Sequence, residues 1–581
     1  MADPALVPTP RSPDLATFTL LSNGQSVPPE LQLFTAVVTF AANRIPHARI
    51  VLRDGDVAAQ TFPFSESDTF VPGTPIELKL GYHGVETTVF KGLVTRHSIV
   101  ARQGRPSQLV IDARHPAFKL TLVRKSRQFT DQTDADIAST ILGELNLAGT
   151  VSSTKVTHGQ MVQFGVTDWD FVALRARANG LLVLPGLDTL ALSAPDYSRA
   201  AALSLTFGTC LESFEGGLEA RTQSVSVTTH AWDPAQQQAV EFTASNAAES
   251  SAGVPDAAAL TEAAGSPAQA DWHSAAAPTD EIQAWAEAQL ARERSAKIRG
   301  HARCQGFAGI APGDLVQLAG LGARFNGKAF VAGVRQEFSV GVWKTDLQLG
   351  IDASWLHWDP AGPATAAGLL PAPSGLHVGV VRQLEGDPAS AQRILVHLPV
   401  VLPDGEGLWA RLGTLEAGDQ RGFVYRPEIG DEVVVGFFGN DPRHPVVLGA
   451  LHSGAHAAHI PAADANNEKG YLSRSKLKVH FDDDKKVLTL STDAGNQLIL
   501  SEEDQGITLQ DQNGNKLVLS PDGIEMESIK ALSLKAATDW KAEGVNLQAS
   551  ASASAKVEGS SGVEVSSGGS LTLKGSLVQI N

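Results

Sequence analysis

A ladder of short apolar triplets occupies the stretch between Lys476 and Asn581. In each triplet two apolar residues flank a third residue. This alternation is typical of half-buried strands, because successive side chains of a strand point to opposite faces. Turn sequences such as Asn513-Gly514 separate the triplets. The triplets are Leu488–Leu490, Leu498–Leu500, Ile507–Leu509, Leu517–Leu519, Ile524–Met526, Leu532–Leu534, Val545–Leu547, Val563–Val565, Leu571–Leu573 and Val578–Ile580.

Strands this short cannot bury their apolar side chains without further cover. A two-stranded unit is marginal alone in water, and stacked units produce a continuous apolar stripe. The stripe has three possible arrangements: a single-chain β-helix, several identical chains around a common axis, or an antiparallel meander. Small residues follow in the last part, namely Ala549, Ala551, Ala553 and Ala555. They favour a narrow core shared between chains.

Length, charge and cysteine content restrict the class of protein. A chain of 581 residues predicts roughly three to five domains. Its net charge of −17 makes nucleic acid an improbable partner. The only two cysteines, Cys210 and Cys304, argue against a disulfide framework and for assembly in a reducing compartment. No signal-peptide pattern is recognised in Met1–Pro13, and no apolar run is long enough for a membrane span.

Helix patterns are confined to a few places in a sequence that otherwise reads as strands and turns. We expect a helix over Asp134–Leu145, with Thr133 or Asp134 as its N-cap, and another over Phe171–Ala178. An Ala-rich helix is predicted over Asp280–Ile298. Trp169 is expected to belong to the core.

Several motifs resemble, in the same order, those of the VgrG family, the spike proteins of contractile injection systems, and the resemblance spans nearly the whole chain. The family is related to phage tail hub and spike proteins. In the C-terminal half the motifs are Tyr425–Leu451, which includes Asn440-Asp441-Pro442-Arg443-His444, together with Ser473–Lys476, Asp511–Leu517 and Lys574–Asn581. In the N-terminal half they are Lys125–Phe129, Thr167–Phe171 and Pro312–Asp314.

The resemblance implies a mainly β fold, with phage-hub-like β-barrels, a small α/β insertion, an OB-like collar domain and a C-terminal intertwined triple-stranded β-helix. The predicted divisions are an N-terminal tail (1–14), the first part of the hub barrel (15–125), the α/β insertion (126–204), the second part of the hub barrel (205–360) with a mobile loop (244–278), a linker (361–374), the collar (375–452), a second linker (453–475) and the needle (476–581).

The resemblance also implies a homotrimer that joins tail tube and baseplate proteins, at its hub, to a needle that punctures a target membrane and delivers effectors. The expected trimer core of the needle consists of Leu498, Leu509, Leu517, Leu519, Leu532, Leu534, Leu547, Val563, Leu571 and Leu573. A tip protein of the PAAR-repeat type is expected to bind the end formed by Leu577, Val578, Ile580 and Asn581. The protein would assemble in the cytoplasm and become exported or extracellular on firing.

No catalytic, cofactor or metal site is predicted. The linker 453–475 is too short for a catalytic domain, since domains begin at about 50 residues. His452, His456 and His459 have spacings that could suit a metal, but a polar linker accounts for them. Asp482–Asp484 reads as a solvated turn rather than a calcium loop.

Other functions remain open at this level. A β-helical carbohydrate-active enzyme or adhesin, or a phage tail-fibre or receptor-binding protein, could also contain such a ladder. The outward positions of the ladder are Ser, Thr, Asp, Lys and Gln, without the aromatic residues that a sugar groove usually needs. The sequence leaves open whether the machine is anchored in a cell, an extracellular particle or a phage.

Overall fold

The computed structural model describes residues 15–28, 30–233, 238–352, 366, 370–399, 402 and 404–580. The chain divides after His452 into two units. The first contains a large sheet, an α/β insertion and a closed barrel, and the second contains a seven-stranded sheet.

Strands near the N-terminus form the first half of the large sheet. Their alternation puts one face in the core: in the third strand Ala36, Val38 and Phe40 are buried, whereas Val37 and Thr39 between them are only half-buried. A short 3-10 helix, Asp68–Phe70, places Phe70 in the same core. The strands are β1 (Ala16–Ser22), β2 (Gln25–Ser26), β3 (Leu33–Ala41), β4 (His47–Arg53), β5 (Pro75–Tyr82), β6 (Val85–Val100) and β7 (Gln108–Arg114).

The α/β insertion contains two capped helices. Thr133 accepts a hydrogen bond from the Asp136 amide, and the Asp136 carboxylate accepts one from the Thr133 amide, so Thr133 is confirmed as the N-cap. The second helix begins at Asp168, three residues before the predicted start, because Thr167 caps it. A 3-10 helix, Pro116–Thr121, precedes the insertion. The elements are β8 (Arg124–Phe129), β9 (Gln132–Thr133), α1 (Asp134–Glu144), β10 (Ala148–Val151), β11 (Thr157–His158), β12 (Met161–Thr167), α2 (Asp168–Ala178), β13 (Leu182–Pro185) and β14 (Thr189–Ser193).

The chain then returns to complete the large sheet. The elements are β15 (Leu203–Thr206), β16 (Leu211–Leu218), β17 (Ser226–Asp233), β18 (Gln238–Ala244), α3 (Ala257–Ala263), β19 (Ala268–Ala276), α4 (Thr279–Ser295), β20 (Ile298–Gln305), β21 (Leu315–Ala319), α5 (Gly322–Phe325), β22 (Gly327–Ser339) and β23 (Val342–Leu349).

Pairing of β22 with β3 joins the two halves of this sheet. The order is β16-β20-β23-β22-β3-β4-β7-β6-β5-β1-β2, with β21 attached to β22 and β15 to β21. Each half packs on its own core. The predicted mainly β hub, interrupted by a small α/β insertion, is therefore confirmed, although among the described residues only the collar has hydrogen bonds that close a barrel.

The prediction of a loop over residues 244–278 is wrong. This stretch contains α3, capped by Asp256, and β19, which pairs in parallel with β17. Helix α4 covers the resulting sheet and buries Ile282, Trp285 and Leu290. The many alanines that suggested a loop have side chains small enough for close packing, so low hydrophobicity was a misleading signal here.

The collar is a closed five-stranded barrel in the order β24-β25-β26-β30-β29, which confirms the OB-like prediction. The barrel interior contains Val381, Val396 and Val435, all fully buried. A 3-10 helix, Phe438–Asn440, follows β29. The elements are β24 (His377–Gln383), β25 (Ile394–His397), β26 (Leu408–Leu412), the hairpin β27 (Ala417–Gly418) and β28 (Arg421–Gly422), β29 (Glu432–Phe437) and β30 (Pro445–Ala450).

The second unit begins with seven antiparallel strands, each paired with the next. Residues 468–527 thus form the meander that the sequence left open as an alternative, and its first strand begins before the predicted start at Lys476. An intertwined arrangement would need other chains and stays a prediction. The strands are β31 (Glu468–Leu472), β32 (Lys478–Asp482), β33 (Val487–Ser491), β34 (Gln497–Ser501), β35 (Gly506–Gln510), β36 (Lys516–Ser520) and β37 (Gly523–Glu527).

In the ranges that the structure describes, no helix combines the length and the apolar character needed to cross a membrane.

Candidate functional site

One face of the meander is lined by apolar side chains in two parallel columns. The register places Leu490 opposite Leu498, and Leu509 opposite both Leu498 and Leu517. Cross-strand pairs of this kind are the unit of sheet stabilisation. We call this surface the apolar face; it consists of Val479, Phe481, Leu488, Leu490, Leu498, Leu500, Ile507, Leu509, Leu517, Leu519, Ile524 and Met526.

Nothing in the described part of the same unit covers the apolar face. Leu509 is 53% exposed and Ile524 is 74% exposed. Of the described residues after His452, Ser501 alone is buried. The second unit therefore has no hydrophobic core of its own.

The triplets beyond Glu527 lie in a stretch without strand pairing. Residues 528–580 form no strand in the chain and are exposed almost throughout. The predicted core residues of this part are between half and fully exposed: Leu532, Leu534, Leu547, Val563, Leu571 and Leu573. At the predicted tip-binding end, Leu577, Val578 and Ile580 are exposed as well, and Asn581 lies outside the described residues.

Two of the sequence motifs in the hub contact each other. Lys125 Nζ lies 2.7 Å from Asp168 Oδ2, and Arg127 Nη2 lies 2.5 Å from Asp168 Oδ1. Burial raises the pKa of Asp168, but hydrogen bonds from Lys125 and Gln163 and the Arg127 charge outweigh this and lower it. These motifs thus hold β8, β12 and α2 together.

A buried ion network, which the sequence did not predict, links the collar to the hub. Arg443, in the turn before β30, donates from Nη2 to Asp441 at 2.9 Å and from Nη1 to Glu281 of α4 at 2.5 Å. All three side chains are at most 6% exposed. Burial raises the pKa of Asp441, but the Arg443 charge outweighs it and holds this pKa well below its usual range.

The same network continues into the α/β insertion. Arg175 Nε donates to Asp134 Oδ1 at 2.7 Å, and Asn179 donates to Asp134 Oδ2 at 2.8 Å. His158 lies between two carboxylates, with Nε2 3.2 Å from Asp134 and Nδ1 3.9 Å from Glu281. Asp134, considered a cap candidate from sequence, is therefore an anchor of this network.

The histidines and aspartates that the sequence singled out lie in or next to the linker and in a turn of the second unit. His452 and His456 are exposed. Asp482 Oδ1 accepts hydrogen bonds from the amides of Asp484 and Lys485, so this segment is a turn, as expected. Trp169, predicted to lie in the core, is buried there.

A family model described as the Alg8 N-terminal domain matches residues 12–339, which is more than half of the chain. The chain belongs to the Alg8 N-terminal domain family. A second model, the type VI secretion system/phage-baseplate injector OB domain, matches residues 377–452 and coincides with the collar barrel. Comparison with curated proteins found no match.

Several solved structures of spike and tail proteins are similar to this Alg8-family chain. The Francisella PdpA-VgrG complex in its half-lidded form is similar at 10% identity and a TM-score of 0.50, over 89% of this chain and 88% of that one. The E. coli c3393 protein, a component of the type VI secretion system, is similar at 14% identity and a TM-score of 0.47, over 74% and 99%. The MuSo2 prophage 43 kDa tail protein of Shewanella oneidensis has 14% identity and a TM-score of 0.45, over 58% and 99%. The resemblance to VgrG-type spikes is confirmed at the level of the fold.

Proposed function

We propose that this chain is the trimeric structural spike of a contractile injection machine, that it punctures a target membrane and delivers effectors, and that it is not an enzyme. The observation that carries the proposal is the second unit's lack of a core. Burying apolar surface stabilises a protein by roughly 25 cal/mol per Å². A chain with two exposed apolar columns gains that free energy only by association.

Exposed apolar side chains on the collar support the same assembly. Phe423 and Tyr425 stack with ring centroids 6.1 Å apart and are 45% and 60% exposed. Neighbouring Val424 is 72% exposed and Leu415 is 91% exposed. An exposed patch of this kind marks an interaction surface.

In the assembled particle the hub would bind tail tube and baseplate proteins, and the C-terminal end would bind a tip protein of the PAAR-repeat type. The exposed Leu577 and Ile580 support an apolar contact there. Assembly would take place in the cytoplasm, with export on firing.

The experiment that tests the proposal compares two faces of one strand. Light scattering of the wild-type protein should give about three times the chain mass of 61.1 kDa. Leu509→Asp should abolish the trimer, because three carboxylates would meet around one axis and cannot all stay ionised.

The matched control is Thr508→Asp, which places the same charge on the opposite face of β35. It should leave the trimer intact. A monomeric wild type, or equal masses for both variants, would refute the role of the apolar face.

A further inference from the structure

Three potential metal ligands meet where the collar barrel contacts the hub. They are His273 of β19 and Asp441 and His444 of the turn between β29 and β30, and their ligand atoms all lie within 4.8 Å of one another. His273 Nε2 is 3.3 Å and His444 Nε2 is 4.0 Å from Asp441 Oδ2. Two ligands of one tetrahedral zinc ion are separated by roughly 3.4 Å, given bonds of about 2.0–2.1 Å.

The buried imidazole of His273 is a second, independent indication of a metal ion. Its side chain is 3% exposed, and its Nε2 is buried and forms no regular hydrogen bond, although Asp441 Oδ2 lies only 3.3 Å away. Buried polar atoms are normally paired. The Trp285 ring packs edge-on against the imidazole at 5.2 Å and fixes its plane, so this nitrogen is held towards Asp441.

The surroundings complete the requirements of a metal site. Arg443 holds the Asp441 carboxylate in place and is itself bound by Glu281, as outer residues do around metal ligands. His444 is 25% exposed and lines a cleft between hub and collar, which gives an ion access from solvent. Three protein ligands beside a cleft leave a coordination position for water.

The charge of the buried network also favours a cation. Asp134, Glu281 and Asp441 bring three carboxylates, whereas Arg175 and Arg443 bring two guanidinium groups. The excess negative charge of this buried network favours a bound cation. The positive charge of Arg443 disfavours a second cation nearby. The Glu281 carboxylate, which is hydrogen-bonded to the same guanidinium, offsets this repulsion.

We propose that His273, Asp441 and His444 bind a divalent transition metal of the zinc class, which cross-links the hub to the collar barrel. Two imidazoles and one carboxylate are nitrogen and oxygen donors that suit Zn²⁺. The ion would be structural, since it would tie residues of two sheets more than 160 positions apart in the chain.

The test uses the full-length protein and His444→Gln. No side-chain hydrogen bond joins His444 to any described residue, so this variant should fold. His456→Gln is the control, because His456 is exposed in the linker. After loading with Zn²⁺ and exhaustive dialysis, wild type and His456→Gln should retain about one zinc per chain by mass spectrometry. His444→Gln should bind at least tenfold more weakly in calorimetry.

A second readout is thermal unfolding with and without EDTA. The chelator should lower the unfolding temperature of wild type and His456→Gln, but not that of His444→Gln. The proposed site would be refuted if the two variants retained equal amounts of zinc, or if only His456→Gln lost its zinc. A wild type that retains no zinc would overturn it as well.

Discussion

Arg443 Nη1 donates to Glu281 Oε1 at 2.5 Å, and the two residues lie 162 positions apart in the sequence. Neither side chain is more than 6% exposed. Glu281→Gln replaces a charge-assisted hydrogen bond by a neutral one and leaves Arg443 paired with Asp441 alone, and a hydrogen bond to a charged group contributes about 1.5–3 kcal/mol. We therefore expect Glu281→Gln to lower the free energy of unfolding by about 1.5–3 kcal/mol, measured by urea titration with tryptophan fluorescence.

The control for this prediction is an exposed pair. Glu416 binds Arg421 in the collar hairpin, and both side chains are at least half exposed. Glu416→Gln should change the free energy of unfolding by less than about 1 kcal/mol. If both variants lose the same amount, the buried network does not hold hub and collar together.

His115 should make the stability of the first unit depend on pH. It is fully buried, its Nδ1 accepts a hydrogen bond from the Ala117 amide at 3.1 Å, and burial lowers its pKa from 6.5 to about 4. The nearby Asp188 opposes this shift only in part. Between pH 6.5 and about 4 the unfolded chain binds a proton that the folded chain does not, so stability falls as the pH falls through this window.

The expected loss from His115 between pH 7 and pH 5 is roughly 2 kcal/mol. His115→Asn keeps an acceptor for the Ala117 amide but cannot titrate. The variant should lose correspondingly less stability over the same interval, measured by urea unfolding at both pH values. An identical pH dependence in the two proteins would exclude this histidine as the cause.

Removing the N-cap of α1 should lower the free energy of unfolding less than the loss of the buried ion pair does, because it removes only local hydrogen bonds. Three hydrogen bonds join Thr133 and Asp136 at the start of the helix. Thr133→Ala should cost about 1 kcal/mol in the free energy of unfolding. Ser139→Ala, further along the exposed side of the same helix, should cost less than about 0.5 kcal/mol, and a reversed order would contradict the capping role.

Features that depend on neighbouring residues could be predicted from the sequence. The triplets Leu488–Leu490 and Leu498–Leu500 lie inside β33 and β34, because a period of two needs no knowledge of distant partners. Thr133 was identified as a cap candidate for the same reason. The collar barrel was predictable because its strands follow one another at short intervals.

Features that depend on contacts between distant residues could not be predicted from the sequence. The contacts of Asp441 with Arg443 are local, but Glu281, Arg175 and Asp134 come from other elements. From sequence alone, a charged residue in a helix such as α4 is expected to face solvent. Only the fold shows that Glu281 faces the collar. The pairing of β19 with β17 was missed because its small residues carry little hydrophobic signal.

The last prediction concerns residues 528–580, which have no strand pairing within the chain. In a trimer their amides would donate to neighbouring chains, and amides in stable strands exchange with solvent far more slowly than free ones. Hydrogen–deuterium exchange should therefore show protection of peptides from this stretch in the wild type, by at least about a hundredfold. Leu571→Asp should reduce that protection around the substituted strand, whereas Thr572→Asp, one residue along and on the opposite face, should preserve it. Complete exchange of this stretch within seconds in a wild-type trimer would show that the three chains associate through residues 468–527 alone.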